Sequence, residues 1–118
     1  MDARPSLFQL FVGTVIYKMP YRESRRCLDL IANHGLPVTY LELSAHHLAG
    51  GRIGSWIEGL IYAQNHGIKM SVTNAAARDL IEVYGSKLTL LNHIQAFERL
   101  GVKDLDSAPL DLDKIKEV

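Results

Sequence analysis

Apolar positions recur along the chain in two rhythms. Leu7 to Tyr17, LFQLFVGTVIY, is an almost unbroken run of β-branched and aromatic residues, with Gly13 as a bend, and predicts a strand. Met19-Pro20 marks a boundary, with proline suited to the first turn of a helix. From there to His34 the positions Ser24, Cys27, Leu28 and Ile31 share a helical face, and Gly35 is the expected terminator. Val38 to Leu43 reads as a short buried strand after Pro37. Ile53, Trp56, Ile57, Leu60 and Ile61 return to helical spacing up to His66-Gly67. Ile68 to Val72 predicts another strand. Asn74 then caps a helix carrying Ala77, Leu80, Ile81 and Tyr84 as far as Gly85. Lys87 to Leu91 predicts a last strand, and Asn92 caps a helix with Ile94, Phe97 and Leu100 that Gly101 stops.

Strands alternating with helices imply an α/β domain with a largely parallel sheet, whose ligands and partners meet loops at the strand C-terminal ends. The chain of 118 residues fits a single domain, 1–118, with a core over about 6–101 and a tail over 102–118. No internal repeat or low-complexity stretch stands out.

Composition narrows the function. Hydrophobic residues make up 47% and charged residues 22%, a globular balance without the apolar run of about 18 residues that a membrane span needs. Thirteen basic residues balance thirteen acidic ones, whereas nucleic-acid binders carry a basic excess. One cysteine, Cys27, excludes an internal disulfide and suits a reducing cytoplasm.

The most conspicuous stretch is Ser44 to Trp56, SAHHLAGGRIGSW, which follows the predicted strand Val38–Leu43. Adjacent histidines in extended backbone point to opposite sides, so His46 and His47 make a poor metal pair, and no metal or cofactor is expected. Gly51-Arg-Ile-Gly54 has the G-x-x-G spacing of an RNA-binding loop. It is neither a dinucleotide fingerprint nor a Walker loop. Cys27 lies on an apolar helix face and reads as core, and no nucleophile elbow occurs, so an enzyme is not expected.

Several of these segments, in this order, resemble the STAS family of sulfate transporters and anti-sigma factor antagonists. Leu7 to Gly13 is similar to its opening strand and glycine, and Val38 to Ser44 to its central apolar strand ending in Asp-Leu-Ser. Gly54 to Gly67 resembles its long helix, Ile68 to Val72 its next strand and Asn74 to Gly85 its third helix, with Tyr84-Gly-Ser-Lys-Leu88 as the closing turn. The resemblance implies a mixed, mostly parallel sheet of four to five strands with about four helices. It also implies a cytoplasmic regulatory domain that binds a kinase-like anti-sigma regulator, or alternatively a subunit of a lipid-transport ABC assembly. The family's phosphorylated serine would fall on Leu48–Gly51 or Ala49–Arg52, where this chain has no hydroxyl. Ser44 and Ser55 flank that position as candidate substitutes. A partner-binding face is therefore expected at Ala45, His46, His47, Gly50, Gly51, Arg52, Ser55 and Tyr62. Arg52 is its sharpest element, because a cation at a helix start calls for an acidic group of a partner or ligand to offset it. A homodimer is compatible with these features, and RNA binding through the G-x-x-G loop is the remaining alternative.

Overall fold

A computed structural model describes residues 20–110, and there the protein is built from helices. α1 spans Tyr21–His34, α2 Tyr40–Leu48, α3 Ile53–Asn65, α4 Val72–Tyr84 and α5 Leu90–Arg99, followed by a 3₁₀ turn at Leu105–Ser107. The expected α/β sheet is not formed. Among the described residues the only pairing of strand type is an isolated parallel bridge between Lys69 and Asp104. The predicted strand Leu7–Tyr17 lies outside the described residues.

Each of the other three predicted strands is a lead-in to a helix. Thr39 caps α2 through a reciprocal capping box with Glu42: the Thr39 hydroxyl accepts from Glu42 N–H, and the Glu42 carboxylate accepts from Thr39 N–H. Ser71 caps α4 and Thr89 caps α5 in the same way, each accepting the N–H three residues on. The apolar residues Val38 and Ile68 ahead of the first two caps are buried in extended connectors, 2% and 6% exposed, whereas Leu88 ahead of the third is 37% exposed. Asn74 and Asn92, expected as caps, supply the N–H groups being capped.

The segments that follow α1, α3 and α5 share one local structure. Gly35, Gly67 and Gly101 all adopt positive φ at helix ends. In each case the next residue's N–H returns to a carbonyl in the preceding helix: Leu36 to Ile31, Ile68 to Ala63 and Val102 to Phe97. The sequence recurs with it, as His34-Gly-Leu-Pro-Val-Thr39 and His66-Gly-Ile-Lys-Met-Ser71. The chain thus repeats a unit of helix, glycine, extended connector and capped second helix, contrary to the expectation of no internal repeat.

α1, α3 and α5 are the first helices of successive units and pack side by side, with α3 in the middle. α3 also receives α4 and α2, and contributes the buried Ile53, Trp56, Ile57, Leu60 and Ala63. Gly59 permits this density, since a Cβ there would lie 2.5 Å from Leu90 Cδ2 on α5. Cys27 is fully buried in this core, as expected, and burial pushes its thiol up to about 12.

Candidate functional site

The histidine- and glycine-rich stretch is the last turn and a half of α2, a tight turn, and the first turn of α3. Its chemistry is organised by a residue that the sequence did not single out, Asp79 on α4. The Asp79 carboxylate is fully buried. One oxygen, Oδ2, accepts from His46 Nε2 at 2.7 Å and from the Arg52 backbone N–H at 2.8 Å; the other, Oδ1, accepts from the Arg52 guanidinium at 3.0 Å. Burial raises the carboxyl's pKa, but the His46 and Arg52 hydrogen bonds and the Arg52 charge outweigh it, leaving the group below its ordinary value.

Arg52 is the N-cap residue of α3, where the helix dipole disfavours a cation. That cost, expected to be offset by an acidic partner or ligand, is instead offset by Asp79 within the same chain. The guanidinium also donates to Leu88 O at 2.7 Å, which ties the α4–α5 loop to the same point. Tyr84 Oη donates to Ala49 O, fastening the end of α4 to the end of α2.

The glycines serve this clamp. Gly50 turns the chain with φ of 93°, and Gly51 lies directly over the His46 ring, so that a Cβ there would collide with Nε2, Cε1 and Cδ2. Three of the four N–H groups of the G-x-x-G loop, which could have cradled a phosphate, already have partners. Gly51 donates to His46 O, Arg52 to Asp79, and Gly54 to Glu23 Oε1 on α1.

The other expected site residues separate into different environments. Ala45 is exposed on α2 and His47 is half-buried. Ser44 is buried, 4% exposed. Ser55 Oγ accepts from Leu90 N–H and thereby supports the start of α5. Tyr62 lies farther along α3, where its hydroxyl donates to Glu98 and its ring stacks on His66 at 3.9 Å. The hydrogen bond to Glu98 raises the phenol's pKa. Trp56 is core, as expected, with its indole N–H donating to Val72 O. No group of three or more potential metal ligands comes together among the described residues.

A second buried polar centre lies one residue before Asp79. The Arg78 guanidinium is fully buried and its five N–H donors make five bonds. They go to Asn74 Oδ1, His93 Nε2 and the carbonyls of Leu105, Ala108 and Pro109. His93 Nδ1 lies 2.5 Å from Glu82 Oε2. Because the guanidinium can only donate, His93 Nε2 accepts and Nδ1 carries the proton given to Glu82. Residues 102–110 are thereby strapped across α4 and α5, with Leu105 fully buried.

Between α2 and α4 lies an open groove of about 250 Å³. The two helices meet through His46–Asp79 and Ala49–Tyr84 and are splayed elsewhere, so the groove lies beside the clamp. Ala45, Ala49, Ala76, Leu80 and Trp56 give it an apolar wall, which His46, Glu42 and Thr73 interrupt. Leu41, Leu48, Ile81 and Tyr84 on the same two helices are exposed, at 77%, 66%, 42% and 74%. Among the described residues no helix is long and apolar enough to cross a membrane. In comparison with known proteins, the chain matches no family model, no curated protein and no solved structure.

Proposed function

We propose that the protein is a non-catalytic, cytoplasmic interaction module that binds a protein partner along the groove between α2 and α4. The carrying observation is that groove together with the exposed apolar side chains of its two helices, Leu41, Leu48, Ile81 and Tyr84. Large apolar side chains clustered around a concave surface are the usual anatomy of a docking site. The polar side chains that could have suggested catalysis are committed elsewhere: Asp79 and Arg52 to the clamp, Glu82 and His93 to the anchoring of the C-terminal strap. The interaction role rests on this groove and not on an α/β scaffold. The buried, unpaired Cys27 supports a reducing compartment.

Site-specific photo-crosslinking in cells tests this reading. A crosslinker at Leu48 or Ile81 is expected to trap one discrete protein, and one at the exposed Asp29 of α1 to trap none. Filling the groove with Ala45→Trp should abolish the trapped species. Trapping that is indifferent to Ala45→Trp would remove the groove from the function.

A further inference from the structure

The groove presents a hydrogen-bond acceptor whose state is set by the buried clamp behind it. Asp79 receives three hydrogen bonds and its carboxyl is held ionised, so it can only accept. The nitrogen facing it, His46 Nε2, must therefore carry a proton. The Arg52 guanidinium already balances the one buried carboxylate, so a charged imidazole would have no counter-charge of its own. That charge balance favours the Nε2–H tautomer, which leaves the lone pair on Nδ1. Among the described residues Nδ1 makes no hydrogen bond, and it is not among their sealed, unpartnered polar atoms. The ring it belongs to lines the groove.

We propose that the groove takes an aromatic side chain bearing a single hydrogen-bond donor, a tyrosine or tryptophan of the partner, whose O–H or N–H is donated to His46 Nδ1. This rests on the interaction reading above and names the anchor that the partner supplies. Size fits: a cavity of roughly 150 Å³ already holds benzene, so about 250 Å³ holds a phenol or an indole. Polarity fits as well. The apolar wall suits a ring, and the one carboxylate of the lining, Glu42, is also an acceptor. A phenylalanine of the same shape would desolvate Nδ1 without bonding it, and tyrosine and tryptophan are the side chains that most often anchor such pockets. Asp79 and Arg52 act through His46 here and touch no ligand; they position the acceptor.

The test titrates the full chain with N-acetyl-tyrosinamide and with N-acetyl-phenylalaninamide, following the amide resonances of Ala45 and Ala76. Both probes should shift these signals. The tyrosine probe should bind about fivefold more tightly, the worth of one neutral hydrogen bond. Ala45→Trp, a change at an exposed position, should abolish both responses. Equal affinities that Ala45→Trp abolishes would overturn the donor-to-His46 inference and leave the groove reading standing. No response at Ala45 or Ala76 to either probe would overturn both.

Discussion

His46 Nε2 lies 2.7 Å from Asp79 Oδ2, across 33 residues of sequence, and the Asp79 carboxylate is sealed from water. This bond joins α2 to α4 in the one region where those helices meet. It also explains the glycines beside it, since the turn must pass over the imidazole without a Cβ. Removing one partner of a buried ionic hydrogen-bond set leaves the others unpaired in a low-dielectric interior. Asp79→Ala is therefore expected to cost about 3 kcal/mol or more in urea unfolding. Arg52→Ala should cost less, because the arginine side chain is 34% exposed and can recover hydration.

Gly51→Ala tests the close approach alone, with no change of charge. Its methyl group would fall on the His46 ring, which is held by Asp79 on one side and by Trp56 at 4.6 Å on another. The expected loss is about 2 kcal/mol, typical of overpacking a filled site. Gly51→Ala combined with His46→Ala should lose less than the sum of the two single changes. Additive losses in this double-mutant cycle would mean that the glycine and the ring are not in contact.

Acid should weaken the protein in a defined direction. The Asp79 carboxyl is depressed in the folded state, so its contribution is present above the ordinary carboxylate value of 3.8 and fades as pH falls through the lower folded value. The urea midpoint measured against pH should fall over that acidic window. In Asp79→Asn the same curve should be flatter, starting from a lower plateau.

Much of this was legible in the sequence, but not the part that decides the fold. The helical faces of α1 and α3, the core positions of Cys27 and Trp56, and Gly35, Gly67 and Gly101 as helix ends all follow from apolar spacing and from glycine's tolerance of positive φ. The strand expectations rested on short apolar runs, in which periodicity cannot separate a strand from a buried connector. The separating signal was present. Thr39-Tyr-Leu-Glu42 is a capping box, and the recurrence of His-Gly before two Ser/Thr-capped helices marks a repeated unit. Asp79 could not have been found locally, because it sits in a helical pattern and acquires its role from a loop far away in sequence. The helix dipole marks Arg52 as needing an acid, which the sequence reading places on a partner or ligand and the fold supplies from Asp79 within the chain.

The C-terminal strap should depend on Arg78 as a five-donor fork. Arg78→Lys keeps the charge but has three donors and no planar geometry. Hydrogen exchange across residues 102–110, including the Leu105 N–H that bonds to Lys69 O, should become markedly faster in this variant, while α1 exchanges as before. Cys27 serves as an internal control for global unfolding. With its thiol pushed up to about 12 and fully buried, it should resist alkylation at pH 8 until the whole chain unfolds.

The central claim is that Asp79 fixes the His46 ring with its proton on Nε2 and an acceptor turned to the groove. Two-bond proton–nitrogen NMR of the histidine side chains near neutral pH reads this directly. The account predicts a His46 ring with a protonated Nε2 and a pyridine-type Nδ1, a pattern lost in Asp79→Ala. A His46 signal showing the Nδ1–H tautomer, or a rapidly averaging mixture of both tautomers, would contradict it.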